Sequence, residues 1–145
     1  RVRQVLDQLL GNALRFTEQG EVVLKVQLSR ETSQGVSLHF TVHDTGSGIP
    51  NEQQNSLFAP FGQEGVAASR RHRNGGLGLS LASRLVRVMD GTMWMQSIPG
   101  QGSNFHFTCP FGLPAGEELP RYGTRETPAA PHAAVRLRTI GASGA

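Results

Sequence analysis

The segment from Asp44 to Pro50, with the sequence D-T-G-S-G-I-P, combines residue types that suit ligand chemistry. A carboxylate at the end of a strand accepts hydrogen bonds, and Gly46 and Gly48 let backbone approach a flat ligand closely. Asp44 is therefore a candidate acceptor for an exocyclic amino group such as N6 of adenine. The same residues also fit a tight turn in which Asp44 caps backbone N–H groups, and taken alone they favour that turn.

A second candidate lies near the start of the chain, where Gln8, Asn12 and Arg15 follow helical spacing and share one stripe. Amide oxygens are ligands for a hard cation, and a guanidinium pairs with phosphate. This stripe could hold a metal–phosphate group. Without other evidence, the pattern favours a solvated polar face.

A third candidate is the segment from Asn74 to Ser80, N-G-G-L-G-L-S, which opens a predicted helix. Free N–H groups and the helix dipole make such a start suitable for phosphate, and a flexible hinge fits the sequence equally well. The polar loop from Gly62 to Gly76 is long for a simple connection, which is typical of a functional lid. The loop carries three arginines, Arg70, Arg71 and Arg73. They either close over a polyphosphate or form a solvated surface.

Hydrophobic spacing predicts the helices and strands that must hold these residues. The predicted helices are Val2–Thr17, Asn51–Leu57 and Leu77–Met89, and the predicted strands are Val22–Leu28, Val36–His43, Thr92–Ile98 and Ser103–Cys109. The last helix is expected to face the core through Leu77, Leu81, Leu85, Val88 and Met89. Because hairpins join the strands, the predicted fold class is α+β, a two-layer α/β sandwich with a mostly antiparallel mixed sheet and helices on one face.

Composition narrows the class of protein. The chain has 145 residues, enough for one domain, and no apolar run near the 18 residues of a membrane span. The net charge of +3 comes from scattered basic residues without interleaved aromatics, which argues against nucleic-acid binding. A single cysteine, Cys109, excludes an internal disulfide and is expected to be buried. We expect a cytoplasmic domain with no direct membrane contact.

The composition changes near Phe111. Residues 112–145 are rich in Pro, Ala and Gly and lack sustained periodicity, so we predict a linker or disordered tail there. Alternation from Val135 to Ile140 is the one sign of a strand in this part. Residues 1–111 are the predicted domain.

Stripe, turn, lid and phosphate helix follow one another in this order, and the chain thereby resembles the catalytic ATP-binding (HATPase) domain of two-component sensor histidine kinases. That domain has the Bergerat fold and shares a superfamily with DNA gyrase, a heat-shock chaperone and the ATPase MutL. The matching segments are Arg1–Gly20 (N box), Asp44–Pro50 (first glycine box), Leu57–Gln63 (F box, L-F-A-P-F-G-Q), Gly76–Leu79 (second glycine box) and Pro99–Phe105.

The resemblance implies a role for each motif residue. Asn12 would coordinate Mg²⁺, with Gln8 as a further candidate ligand, and Arg15 would contact phosphate. Asn12 and Arg15 are the implied catalytic residues, and Asp44 would bind adenine N6. The implied ATP-binding residues are Gln8, Asn12, Arg15, Asp44, Gly46, Gly48, Ile49, Phe58, Phe61, Gly76, Leu77, Gly78 and Leu79.

The resemblance also implies an activity and partners. The chain would bind Mg-ATP and donate the γ-phosphate to a histidine on a separate dimerisation domain of the same parent protein. A response-regulator receiver domain would be an indirect partner. None of the chain's five histidines lies in a context resembling H-E-x-R-T-P. The chain also starts at the N box, without the strand that precedes it in the family, so we expect a piece of a longer protein.

Two departures leave alternatives open. Gln8 stands where these kinases carry Asn, and where gyrase-like members carry a Glu base that Gln cannot replace. Asn74 stands where the second glycine box has its first Gly. The alternatives are a degenerate nucleotide-binding regulatory module without kinase activity, and a gyrase- or chaperone-like ATPase. Gln8, the F box and the small size argue against the ATPase.

Overall fold

A computed structural model of the chain describes residues 1–54, 57, 76–112 and 132–139, and the structural statements below concern those residues. The helices are α1 (Val2–Phe16), α2 (Asn51–Gln54) and α3 (Gly76–Val88), and the strands are β1 (Gly20–Thr32), β2 (Gly35–Asp44), β3 (Thr92–Ile98), β4 (Gly102–Gly112) and β5 (His132–Thr139). Within this part of the chain, no helix has the length and apolar character needed to cross a membrane.

The strands form one sheet in the order β3-β4-β2-β1-β5, and each neighbouring pair is antiparallel. Alternate side chains point to the two faces of a sheet, so the face that carries Phe40 and Phe107 meets the helices. These two residues are paired across β2 and β4, and their rings stack 4.5 Å apart. The α+β class with helices against a sheet is confirmed.

The core lies between this face and the two long helices. From α1 it takes Val5, Leu9 and Ala13, as the helical spacing indicates. The buried face of α3 differs from the predicted one. Its buried residues are Leu79, Ala82, Ser83 and Val86.

The predicted core face of α3 is wrong for two residues, since Leu81 is 50% exposed and Val88 is 62% exposed. Apolar residues occupy several sides of this helix, so more than one stripe fits the sequence. The side that is buried includes two small residues, Ala82 and Ser83, which are 0% and 8% exposed. The prediction gave weight to the large leucines instead.

The strand β5 lies within the predicted tail. It pairs with β1 from Gln27 opposite His132 to Gly20 opposite Thr139. Val135 and Leu137 remain 56% and 44% exposed, so the pairing depends on the backbone ladder and on Arg136, 3.5 Å from Glu21, more than on burial. An edge strand offers unpaired N–H and C=O groups to any extended segment. Because this edge strand is held mainly by backbone pairing, the hydrophobicity of residues 132–139 alone does not predict that they form a strand. The remaining residues of the predicted tail, 113–131 and 140–145, lie outside the described part.

We predict that Phe107→Ala lowers the free energy of unfolding by about 3–5 kcal/mol, because the ring is fully buried and its loss leaves a cavity. Urea unfolding followed by circular dichroism measures this. Phe111 in the same strand is 36% exposed, and its replacement by Ala should cost about 1 kcal/mol or less. Equal losses in the two variants would contradict the assigned core.

Candidate functional site

Asp44 ends the central strand β2 with its side chain on the helix-facing side of the sheet. The residue is only 4% exposed. Its carboxylate accepts a hydrogen bond from the Gly46 N–H at 2.9 Å and one from the Ser103 N–H. Burial raises the pKa of Asp44 above its ordinary value of 3.8, while these hydrogen bonds and nearby His43 partly oppose the rise. A carboxylate has about four acceptor positions, so this one retains capacity for a ligand donor.

The two glycines after Asp44 pack against protein backbone. A Cβ at Gly46 would collide with the carbonyl oxygen of Phe16, at the end of α1. Gly48 has a φ of +68°, and a Cβ there would collide with the carbonyl oxygen of Ile98. The sequence suggested that these glycines make room for a ligand, and the structure provides a second cause. They let the turn fit between α1 and the hairpin of β3 and β4.

Backbone hydrogen bonds hold the turn on both sides. The Ser47 N–H donates to the Phe16 oxygen at 3.3 Å, and the Gly100 N–H donates to the Ser47 oxygen at 2.7 Å. On the hairpin side, a Cβ at Gly102, whose φ is +102°, would collide with the Asp44 carbonyl oxygen. Asp44 is therefore positioned by the end of α1 and by the turn between β3 and β4.

A polar cluster behind the turn was missed by the sequence reasoning. The Ser97 hydroxyl accepts a hydrogen bond from the Ile49 N–H at 2.8 Å and lies 3.0 Å from the Ser103 hydroxyl. The Gln54 amide donates to the backbone oxygens of Ile49 and Ser97 at 2.8 and 3.1 Å. The signal for this cluster was the short P-G-Q-G turn, which pairs β3 with β4 so that Ser97 lies opposite Ser103.

The polar stripe of α1 meets the start of α3. Gln8 and Asn12 are half-buried, and Arg15 is exposed with its guanidinium 5.6 Å from the centre of the Phe16 ring. A Cβ at Gly78 would collide with the side-chain oxygen of Gln8. Two predicted site residues, one from each helix, are therefore in direct proximity.

Other residues of the implied set differ in their surroundings. Leu79 is 4% exposed and packs in the core, and Ile49 packs against the same core from the turn. Gly76 is the first residue of α3. Phe58, Phe61, Asn74, the lid and the side chain of Leu77 lie outside the described residues.

An open groove of about 460 Å³ lies at the opposite end of the sheet. Its lining includes Arg30, Asp90 and Phe111 and none of the residues predicted for the ligand site. The glycine-bearing turn, the polar stripe of α1 and the start of α3 are therefore the better candidate for the functional site.

A helix-covered antiparallel sheet with these features matches the class of ATP-binding catalytic domains. The family model described as "Histidine kinase-, DNA gyrase B-, and HSP90-like ATPase" matches residues 1–113. The chain therefore belongs to this family, and the resemblance to the catalytic domain of sensor histidine kinases is confirmed.

Curated relatives agree with this assignment. The chain is 40% identical over 114 residues to hybrid signal transduction histidine kinase B of Dictyostelium discoideum, and the match covers 79% of this chain and 6% of that protein. It is 42% identical over 112 residues to sensor histidine kinase AruS of Pseudomonas aeruginosa, covering 77% and 11%. It is 38% identical over 144 residues to virulence sensor protein BvgS of Bordetella bronchiseptica, covering 97% and 12%. The chain thus spans a small part of each relative.

Solved structures show the same fold. Full-length ShkA in complex with AMPPNP is 34% identical with a TM-score of 0.59, and the match covers 79% of this chain and 22% of that one. The nucleotide-free catalytic domain of histidine kinase ThkA is 24% identical with a TM-score of 0.53, covering 75% and 65%. The second likeness concerns the fold alone.

We predict that Asp44→Asn makes the unliganded protein more stable at neutral pH. A folded-state pKa above 3.8 means that the folded chain holds the proton more tightly than the unfolded chain. The stabilising effect of that proton is fully present below the ordinary pKa and is lost as pH rises through the folded pKa. The advantage of Asp44→Asn should therefore shrink as pH falls. Urea unfolding at a series of pH values measures it.

Asp7→Asn serves as the matched control, because Asp7 is exposed and its carboxylate lies 3.7 Å from the guanidinium of Arg3. This substitution removes the same charge, but from an exposed side chain that pays little desolvation cost. It should therefore not reproduce the gain in stability that Asp44→Asn gives at neutral pH. A gain of equal size in both variants, or a pH profile of Asp44→Asn parallel to that of the wild type, would contradict the buried carboxylate.

We also predict that Gly48→Ala is more destabilising than Gly100→Ala. Both glycines have positive φ, +68° and +78°, so each substitution costs about 1–2 kcal/mol of backbone strain. A Cβ at Gly100 meets nothing within 4 Å, whereas one at Gly48 collides with backbone of Ile98. Thermal and urea unfolding of the two variants isolates the cost of the collision. Equal losses would mean that the turn does not depend on this close approach.

Proposed function

We propose that this chain binds Mg-ATP and presents the γ-phosphate to a histidine on a separate dimerisation domain, as the catalytic part of a sensor histidine kinase. The observation that carries the proposal is the buried Asp44 carboxylate, held in a glycine-bearing turn between α1 and the hairpin of β3 and β4. The catalytic unit is residues 1–111. The family match and the AMPPNP complex of full-length ShkA support nucleotide binding.

Asp44 reads the base in this proposal. Its carboxylate accepts a hydrogen bond from adenine N6, and its burial makes that bond strong and its absence costly. A base with a carbonyl oxygen at the same position would bring two acceptors together. Adenine is thereby favoured over guanine by repulsion as well as by attraction.

The phosphates lie toward α1 and α3. Asn12 supplies an amide oxygen for Mg²⁺ with Gln8 as a second candidate, and Arg15 pairs with phosphate. Backbone N–H groups at Gly76 and Gly78, at the positive end of α3, donate hydrogen bonds to the phosphate oxygens. Phe58, Phe61 and Leu77 belong to the proposed set on the basis of their motifs.

Amide donors fit Mg²⁺ because the phosphates bring the negative charge themselves. Within the described ranges, no group of three or more His, Cys, Asp or Glu residues forms a ready metal site. Mg²⁺ prefers oxygen ligands and retains several waters. With phosphate oxygens also available, this chain would therefore need to supply only one or two amide oxygens. When bound, the ion neutralises phosphate charge in the transfer step.

The chain's contribution to chemistry is positioning and charge neutralisation. The nucleophile is a histidine nitrogen of the partner domain, so no base in this chain has to activate water. Gln8 has no carboxylate to serve as such a base. The transferred phosphate would pass on to a receiver domain, and the parent protein would act in the cytoplasm.

The proposal predicts that the purified chain binds ADP with Mg²⁺ and that Asp44→Asn weakens this binding by about 10–100-fold, the effect of losing a hydrogen bond to a charged group. Isothermal titration calorimetry measures both affinities. Asp7→Asn, on the exposed side of α1, should bind as the wild type does.

Two outcomes would contradict the proposal. Binding that is undetectable at millimolar nucleotide would favour the degenerate regulatory module. Rapid steady-state ATP hydrolysis by the chain alone, without a histidine-bearing partner, would favour a gyrase- or chaperone-like ATPase.

A further inference from the structure

The face of the sheet opposite the helices carries a cluster of imidazoles that nucleotide binding does not use. It consists of His39 and Thr41 on β2, His106 on β4 and Trp94 on β3, and we call it the outer-face cluster. The Trp94 ring stacks on both imidazoles, with centroids 5.2 Å from His39 and 5.1 Å from His106. The indole therefore restrains the two histidines relative to each other.

Two imidazole nitrogens and a hydroxyl form a small triangle in this cluster. His39 Nε2 lies 3.2 Å from His106 Nδ1, and Thr41 Oγ1 lies 3.1 Å from His106 Nδ1 and 3.5 Å from His39 Nε2. Two nitrogens that bind one tetrahedral zinc ion at about 2.0–2.1 Å each are separated by about 3.3–3.4 Å. The observed separation differs from that value by about 0.1–0.2 Å.

The protonation of His106 also suits a metal ligand. Burial lowers the pKa of His106, and the charge of His39 lowers it further, so both effects favour the neutral form of the ring. Coordination through Nδ1 places the single proton of the ring on Nε2, which is buried without a hydrogen-bond partner among the described residues, so metal binding has to offset one unsatisfied N–H. Neutral imidazole is the form that coordinates transition metals.

We propose that His39 and His106 bind a divalent transition-metal ion of the zinc class on the outer face of the sheet. Thr41 provides the oxygen at the third corner and water completes the coordination. The ion lies between the two facing nitrogens, the proton that they share moves to the other nitrogen of its own ring so that both imidazoles stay neutral, and the ion links β2 to β4. Lys25 lies directly opposite Thr41 in the strand register and is exposed. With two protein nitrogens the site is open on the solvent side.

Trp94 is the chain's one tryptophan and therefore reports directly on the cluster. The test titrates Zn²⁺ into the nucleotide-free chain by calorimetry and Ni²⁺ by quenching of tryptophan fluorescence. We expect one Zn²⁺ per chain, with His39→Gln and His106→Gln each weakening binding about tenfold or more, since changes at metal sites that remove only supporting groups already cost about 10–100-fold.

His43→Gln is the matched control, because His43 lies on the same face and strand but bonds to Asn104 at 2.9 Å instead of to the cluster. It should bind Zn²⁺ as the wild type does. Zn²⁺ should also raise the melting temperature of the wild type but not of the two cluster variants, which separates lost binding from misfolding. Excess Mg²⁺ or Asp44→Asn should leave Zn²⁺ binding intact, so the result is independent of the proposed nucleotide site.

The proposal is overturned if no heat or quenching appears up to about millimolar metal, far above the range of specific sites. It is equally overturned if His43→Gln weakens binding as much as His39→Gln does, or if both cluster variants still bind Zn²⁺ with wild-type affinity. Either result would indicate nonspecific binding by surface histidines.

Discussion

The burial of one carboxylate is the constraint on which the functional half of this fold depends. Asp44 ends the strand at the middle of the sheet, where a charge is costly unless hydrogen bonds compensate it. The N–H groups of Gly46 and Ser103 provide that compensation, from the following turn and from the neighbouring strand. Both groups must be held in place for the carboxylate to stay buried and still accept a ligand.

That requirement couples parts of the chain that are far apart in sequence. The turn after Asp44 contacts the last residue of α1 through Phe16 and the hairpin of β3 and β4 through Ile98 and Gly100. Each contact is backbone against backbone, at distances that only glycine permits at Gly46 and Gly48. The helix with the polar stripe and the segment that closes the sheet are therefore positioned by the same turn.

Strict local patterns in the sequence predicted strand ends and one helix face well. The burial of small side chains in α3 was not predicted from the sequence. Alternation gave β3 from Thr92 to Ile98 with the ends that the structure has, and helical spacing gave the buried face of α1. The face of α3 was predicted wrongly because its buried side includes Ala82 and Ser83, which carry little hydrophobic signal, whereas Leu81 and Val88 are exposed. Val135 and Leu137 of β5 remain 56% and 44% exposed, so its pairing with β1 depends more on the backbone ladder than on burial, and alternation from Val135 to Ile140 was its one local signal.

The departure at Gln8 has a structural counterpart at the start of α3. Gln is one methylene longer than the Asn typical of these kinases, and its side-chain oxygen occupies the space where a Cβ of residue 78 would stand. Gly78 therefore accommodates the longer amide. Because Gln8 and Gly78 share one space, the metal side and the phosphate side of the proposed site are not independent. A side chain at position 78 would displace Gln8 along the stripe that also holds Asn12, so the two motifs must be considered as one unit.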